Sequence, residues 1–159
     1  MKNNKSNAED GIINEFFIKC KDIMTPITCK LFNKIFNSGH YPENWSTGCI
    51  VPIFKKGDKN DPNNYRGITL VSCLAKLFTS TLNQRLLEWD KEYNITTDAQ
   101  FGFKHNASTI DAIFVLQTLV NKMLRNKKRL YCCFVDYKKA FGYVNRSSLW
   151  MKLKLYGID

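Results

Sequence analysis

Asp136 has the setting that most suggests chemistry, because it ends a short apolar segment. Residues 130–135 read LYCCFV, and the chain becomes apolar again near Phe141. A short continuous apolar run predicts a strand that is buried on both faces. A carboxylate at the end of such a strand could hold a divalent metal ion. The alternatives are a helix cap or an ion pair with Lys138 or Lys139, and Phe141 by itself indicates core packing.

A cationic segment lies earlier in the chain, between two apolar stretches. FKKGD at residues 54–58 places Lys55 and Lys56 at a turn, where their ammonium groups could reach a phosphate. Arg66, in NNYRGITL, offers the two-pronged phosphate contact that a lysine cannot reproduce. A solvated β-turn with a surface arginine is the alternative explanation.

A third motif, QFGFKHNAS at residues 100–108, sets Gly102 between two aromatic residues. A loop of this composition suits contact with a flat ligand. An ordinary loop leading into a helix explains it equally well.

Positive charge is concentrated in the last third of the chain. Residues 122–156 contain ten lysines or arginines and one acid, whereas residues 1–121 contain fourteen basic and twelve acidic residues. The run Lys127, Lys128 and Arg129 belongs to the basic part. Such a distribution is typical of a surface that binds polyanions, most often nucleic acid. A merely solvated basic surface is the alternative.

The composition excludes several protein classes. With 159 residues, 44% hydrophobic and 24% charged, the chain has the size and balance of one globular domain. It has no apolar run of the roughly 18–20 residues that span a bilayer, and no signal-peptide segment is evident. An intracellular location is therefore expected. The KKR run at residues 127–129 is too short to count as a nuclear signal, so the nucleus stays open as a location.

The six cysteines do not form a zinc-binding pattern. There is no C-x-x-C pair, and neither His40 nor His105 lies at zinc-ligand spacing from a cysteine. We interpret all six as free thiols in a reducing compartment and expect no zinc.

Hydrophobic spacing predicts an α+β fold that is rich in helix, with short antiparallel strands. Strands are predicted at residues 47–54, 65–70 and 130–135. Helices are predicted at residues 12–24, 26–38, 73–89, 109–123 and 147–155. The second should stop at Gly39, the third should follow Ser72, and Ser108 with Asp111 forms a capping-box-like start of the fourth. Pro26 is expected to be the first residue of the second helix, with Thr25 as its cap.

The order of the motifs resembles that of reverse transcriptases from non-LTR (LINE-type) retrotransposons. In sequence they are Trp45, CIVPIFKKGDKNDPNNYRGITL, Lys76 with NQRL, QFGFKHNASTIDAI and FVDYKKAF. The resemblance covers residues 40–159 and implies an incomplete right-hand polymerase, with the fingers and the first palm strand. It implies that residues 1–39 form a helical segment preceding the fingers.

The resemblance also implies a role for the candidate residues. Lys55 or Lys56, together with Arg66, would lie against the triphosphate of the incoming nucleotide. Asp136 would be the catalytic metal ligand. The backbone of Tyr137 would also contact the nucleotide. The ring of Phe141 would lie under the sugar and exclude, by its bulk, a nucleotide that carries a 2′-hydroxyl. Lys104 would contact the nucleic-acid backbone, and Lys127, Lys128 and Arg129 are added as nucleic-acid contacts because of the concentration of positive charge described above.

The sequence departs from the family pattern at three positions. Lys104 replaces the usual arginine, keeping the charge without the planar fork. Gly67 replaces the usual proline, which is expected to loosen the turn, and Gly142 replaces the usual aspartate after Phe141.

The resemblance implies a polymerase that uses Mg²⁺, deoxynucleoside triphosphates, an RNA template and a DNA primer, without a membrane. Two further aspartates are expected in an aromatic-x-D-D hairpin, yet Asp159 is the only acid after Asp136. We therefore expect the carboxylate partners of Asp136 to lie beyond the end of this chain, which would be inactive alone. The alternatives are a non-catalytic, sequence-tolerant nucleic-acid-binding module and an unstable remnant.

Overall fold

The structure is a computed structural model that describes residues 1–137 and 140–158. The chain divides into two compact units, residues 1–97 and residues 98–159. The described residues are rich in helix and contain one two-stranded antiparallel sheet. The expected α+β class with short antiparallel strands is thus confirmed. The assignment to fingers and palm, and the boundary after residue 39, stay predictions.

The N-terminal helices are α1 (Asn14–Lys19), α2 (Lys21–Ser38) and the short α3 (Glu43–Ser46). The predicted break at Thr25 and Pro26 was wrong, because α2 begins at Lys21 and includes both residues. Inside a helix, proline removes one backbone hydrogen bond and its ring crowds the carbonyl four residues back. Packing of the buried side chains of α2 outweighs this cost. The predicted end is confirmed, since Gly39 takes a left-handed conformation (φ 66°) directly after Ser38.

An aromatic cluster holds the first unit together. The ring of Phe78 lies 5.2 Å from Phe32 and 6.0 Å from both Tyr41 and Trp45, measured between ring centroids. Phe78 is only 6% exposed, and Phe17, Ile35, Cys73 and Ala75 are the other buried apolar residues of the described chain. Helix α4 (Cys73–Tyr93) supplies Phe78. As predicted, it directly follows Ser72, whose hydroxyl caps the helix by accepting from the N–H of Leu74.

The sheet is a hairpin of β1 (Cys49–Phe54) and β2 (Tyr65–Leu70), which confirms two predicted strands. Pro52 pairs with Gly67 across the sheet. Both strands are edges, so a proline is tolerated in β1. The expectation that Gly67 loosens a turn was wrong, because Gly67 lies inside β2 rather than in the turn.

The second unit contains α5 (Thr109–Arg125) and α6 (Arg146–Leu155). The predicted capping box is present, with the Ser108 hydroxyl and the Asp111 carboxylate each bonded to the other residue's backbone N–H. The Ser108 hydroxyl also donates to the Asp111 carboxylate, at 2.7 Å, and this bond, followed by the one from the Ser108 N–H, lowers the pKa of Asp111. Asn145 caps α6 one residue before its start, and Gly157 has φ 81° just after its end.

The predicted buried strand at residues 130–135 was wrong. This segment forms no strand, and Tyr131, Phe134 and Val135 are 84%, 82% and 72% exposed. A buried strand needs neighbouring strands and a covering layer, and the described residues of the second unit contain neither. An apolar run predicts burial but does not specify what covers it.

None of the helices in the described ranges is long and apolar enough to cross a membrane.

Candidate functional site

The connection between β1 and β2 is closed by its own polar side chains. The carboxylate of Asp58 accepts from the N–H of Asn60, and that of Asp61 accepts from the N–H of Asn63, both at 2.9 Å. The side-chain amide of Asn64 donates to the carbonyl of Asp58, also at 2.9 Å. Such local bonds fix the backbone of a polar turn. The two acids of this loop are therefore occupied by backbone contacts.

The register of the hairpin distinguishes between the two candidate lysines. Arg66 pairs with Ile53, and the N–H of Lys55 donates to the carbonyl of Asn64 just past the end of the sheet. Residues 53 and 55 face the same side of a strand, as do directly paired residues on adjacent strands. Lys55 is one residue beyond β1, and extending this register by that residue predicts that Lys55 and Arg66 are diagonal neighbours on one face, whereas Lys56 lies in the bend that follows. All three are exposed.

Asn64, the last residue of the hairpin loop, bonds across the loop with its side chain. The sequence did not indicate this role. A Cβ atom on Gly57, which has φ 96°, would lie 2.7 Å from the Asn64 amide nitrogen. The loop therefore needs glycine at position 57 for both its backbone conformation and this close approach. The sequence signal was a glycine and an asparagine in one turn, a pattern too common to single out Asn64.

Asn64→Ala should open this loop. The change removes the bond to the Asp58 carbonyl, worth about 1 kcal/mol, so amide exchange at Lys55 should accelerate roughly fivefold. Hydrogen exchange read by NMR would measure it. Asn63→Ala is the matched control, because the Asn63 side chain bonds only to the Asp61 carboxylate. Equal acceleration in both variants would contradict a special role for Asn64.

In the second unit, Lys104 has a partner that the sequence did not indicate. Its ammonium lies 2.8 Å from a carboxylate oxygen of Asp98, and this hydrogen bond lowers the pKa of Asp98. The Asp98 side chain is 98% exposed. An exposed pair of this kind is weak, so a phosphate could displace Asp98 from Lys104.

Two exposed aromatic rings meet beside that loop. The rings of Phe103 and Phe141 have centroids 6.1 Å apart and are perpendicular to each other. They are 87% and 81% exposed, and Phe103 has φ 62°, an uncommon conformation for a bulky residue. Phe141 is therefore not a core residue of the described structure. The aromatic residues around Gly102 are evident in the sequence, whereas the contact between Phe103 and Phe141 is not.

Asp136 and Tyr137 lie in an exposed segment without helix or strand. Asp136 makes no hydrogen bond or ion pair with any other described residue, and it caps no described helix. The suggested ion pairs with Lys138 or Lys139 fall outside the described residues. Across residues 1–137 and 140–158, no three His, Cys, Asp or Glu side chains gather as a metal site would require. Asp136 alone does not make a binding site for Mg²⁺.

The basic run directly follows α5 and is fully on the surface. Lys127, Lys128 and Arg129 are exposed, and Lys127 has φ 54°. The N–H groups of Lys127 and Lys128 bond to the carbonyls of Leu124 and Met123, which is the arrangement that ends many helices.

Comparison with known proteins gives one consistent family. Residues 53–159 match the profile of the family described as reverse transcriptase (RNA-dependent DNA polymerase). The probable RNA-directed DNA polymerase from transposon BS of Drosophila melanogaster is 30% identical over 125 residues, covering 78% of this chain and 14% of that protein.

Two other relatives have similar coverage. The RNA-directed DNA polymerase from mobile element jockey of Drosophila melanogaster is 25% identical, covering 94% of this chain and 16% of that protein. The retrovirus-related Pol polyprotein from type-1 retrotransposable element R2 of Popillia japonica is 32% identical, covering 76% of this chain and 16% of that protein. The chain thus spans less than a fifth of the length of these relatives.

Proposed function

This chain belongs to the reverse transcriptase (RNA-dependent DNA polymerase) family, and from that premise we propose that it is the nucleotide-binding fingers and first palm segment of an RNA-directed DNA polymerase of LINE type. Its ligands are a deoxynucleoside triphosphate, an RNA template and a DNA primer. The deoxynucleoside triphosphate is bound by the β1–β2 hairpin.

The observation that carries this proposal is the register of the hairpin, which predicts a shared face for Lys55 and Arg66. A guanidinium can bond two phosphate oxygens at once, and an adjacent ammonium adds a second positive charge. The acids of the same loop, Asp58 and Asp61, form no ion pair with Lys55 or Arg66, so both cations are available to a ligand. This arrangement is suited to a polyphosphate.

Asp136 would act as a ligand of Mg²⁺ only together with carboxylates from elsewhere. Two-metal phosphoryl transfer needs several acids to offset the charge of the ions. Asp136 is a single exposed carboxylate in the described structure, and no DD pair occurs in the sequence. We therefore infer that residues 1–159 alone bind nucleotide without transferring it.

Arg66→Lys should weaken binding of a deoxynucleoside triphosphate about tenfold. The substitution keeps the charge but removes the two-pronged contact, and hydrogen bonds to charged groups contribute about 1.5–3 kcal/mol. NMR titration, followed at the Lys55 and Arg66 amides, would measure the affinity.

Arg85→Lys is the matched control for that titration. Arg85 belongs to the same unit, and its guanidinium carbon lies 4.4 Å from the centroid of the Phe36 ring. Binding by this variant should equal that of the unsubstituted chain. Equal weakening by both substitutions, or no saturable binding by the parent chain, would argue against a nucleotide site on the hairpin.

The second candidate function is a non-catalytic module that binds nucleic acid without sequence preference. It is favoured by the exposed cations at residues 127–129, which form no ion pair with other described residues. Salt-sensitive RNA binding that survives Asp136→Ala, without triphosphate binding, would select this alternative.

A further inference from the structure

The two outer edges of the β1–β2 hairpin are not equivalent. The N–H of Lys55 donates to the carbonyl of Asn64, so these two residues form a hydrogen-bonded pair. Bonded and non-bonded pairs alternate along an antiparallel ladder, which makes Pro52 and Gly67 a non-bonded pair. Backbone groups in such a pair point away from the partner strand. Pro52 therefore offers no N–H to the outer edge of β1, whereas Gly67 directs its N–H and its carbonyl to the outer edge of β2.

The outer edge of β2 is open to a further strand. Thr69 also directs its N–H and carbonyl outward, because it forms another non-bonded pair with Ile50. Tyr65 contributes only a carbonyl, since its N–H donates to the carbonyl of Pro62. Gly67 and Thr69 are exposed, and the described residues include no third strand that pairs with β2. Unpaired groups in such a row can pair with another chain.

Charges of opposite sign lie at the two ends of β2. Arg66 is the second residue of the strand. Glu9 and Asp10 lie at the other end, where they line one small cleft together with Leu70. Both acids are exposed, and neither forms an ion pair with another described residue. A second copy of β2 in antiparallel orientation would bring the cationic end of one hairpin beside the acidic end of the other.

We propose that the chain forms a symmetric dimer in which the β2 strands of two copies pair antiparallel along this edge. In each half of the interface, Gly67 of one copy faces Thr69 of the other and exchanges two backbone hydrogen bonds with it. The two Ile68 residues, which are exposed in a single copy, then face each other on the twofold axis and pack together. The product is a four-stranded sheet with a β1 strand at each end.

Charge selects this register over the neighbouring ones. With Arg66 on the axis, the two guanidinium groups would be directly opposite each other, and with Gly67 on the axis they would be diagonal neighbours. Like charges at such positions are unfavourable. In the proposed register, Arg66 faces Leu70 of the second copy. The acids that share a cleft with that leucine, Glu9 and Asp10, then lie beside the guanidinium and attract it.

Pro52 limits this assembly to two copies. It lies in the middle of β1 and lacks the N–H that a further strand would need there. Both outer edges of the four-stranded sheet are β1 strands, so each of them carries this proline. An interface that uses the same edge of both copies also closes on itself. Pairing through β2 therefore gives a dimer and not a fibre.

Gly67→Pro tests the dimer, because it removes an outward N–H without breaking a bond between β1 and β2. The interface would lose half of its backbone hydrogen bonds, so the dissociation constant of the dimer should rise at least about tenfold. Analytical ultracentrifugation over a concentration series would measure it.

Gly67→Ala is the matched control, since alanine keeps the N–H. Its Cβ would lie 3.0 Å from Cγ2 of Ile50, a side chain that is 67% exposed and can move aside. This variant should dimerise within a few-fold of the parent chain, and thermal melting should confirm that both variants are folded. Equal weakening by the two substitutions would contradict a role for the N–H of residue 67.

Hydrogen exchange in the parent chain identifies the edge that pairs. Exchange at the amides of Gly67 and Thr69 should slow as the protein concentration rises. The amides of Ile50 and Phe54 point outward from β1, so their exchange should not change. Equal slowing on both edges, association that leaves Gly67 and Thr69 unprotected, or a monomer at every concentration would overturn the proposal.

A pair of charge reversals tests the antiparallel arrangement without changing Gly67. Arg66→Glu and Glu9→Arg should each weaken self-association, because each brings like charges together across the interface. An equimolar mixture of the two variants should form a heterodimer with an affinity within a few-fold of the parent value, since every such contact then joins opposite charges. A mixture that associates no more tightly than either variant alone would exclude this pairing. These outcomes do not depend on triphosphate binding, which the titration of Arg66→Lys tests separately.

Discussion

Phe78→Ala should unfold the first unit, residues 1–97. Replacing a buried phenylalanine by alanine costs about 3–5 kcal/mol, which is comparable with the whole stability of a small unit. The ring of Phe78 also meets those of Phe32, Tyr41 and Trp45, and Phe78 is the one buried residue of these four. Removing it detaches α4 from α2 and from the segment around α3. Urea denaturation followed by tryptophan fluorescence should show loss of the Trp45 transition.

Phe36→Ala is the control for this effect, because it removes the same side chain from the surface. Phe36 is 51% exposed and has the Arg85 guanidinium over its ring. Its loss should cost about 1 kcal/mol or less. If the two variants had the same denaturation midpoint, the aromatic cluster would not be the core of this unit.

Asp136→Asn should abolish primer extension in a polypeptide that completes the metal site. Residues 1–159 alone should extend no primer, because the described chain presents a single carboxylate there. When residues 1–159 are joined to a segment that supplies the two aspartates of the expected aromatic-x-D-D hairpin, the joined polypeptide should extend a DNA primer on an RNA template. The asparagine keeps the shape and removes the charge. The rate should fall more than about 10³-fold, the scale of groups that offset charge in phosphoryl transfer.

Asp98→Asn provides the comparison for that measurement, since Asp98 is also an exposed aspartate of the second unit. It should leave the extension rate within a few-fold of the parent value. Extension by residues 1–159 alone would show that the inferred dependence on outside carboxylates is wrong. If the joined polypeptide with Asp136→Asn extended primers at the rate of the unsubstituted one, Asp136 would be excluded as a metal ligand.

Local patterns predicted the local structure well. Ser72, Ser108 and Gly39 mark helix ends in the sequence and in the structure, because capping depends on residues a few positions apart. The hairpin strands were found for the same reason. The break predicted at Pro26 was wrong, because the packing that keeps α2 continuous involves distant parts of the chain.

The candidate residues come from the sequence and their roles stay predictions, whereas the geometry around them needed the structure. Choosing between Lys55 and Lys56 required the strand register, which depends on how the turn is closed. The partner of Lys104 and the contact between Phe103 and Phe141 depend on the course of a loop, for which residue types give little guidance. Burial of residues 130–135 was predicted wrongly because hydrophobicity alone does not provide a covering layer.

The exposed segment at residues 130–135 has a consequence for how long the chain stays soluble. Six apolar residues without proline or charge, unpaired on both edges, can template intermolecular β-sheet and lead to aggregation. Lys127, Lys128 and Arg129 precede this segment directly and repel a second copy of the chain, as gatekeeper residues do. The same cations would be neutralised by bound nucleic acid. We therefore expect aggregation of the chain to depend on whether nucleic acid is bound to these cations, as proposed for residues 127–129.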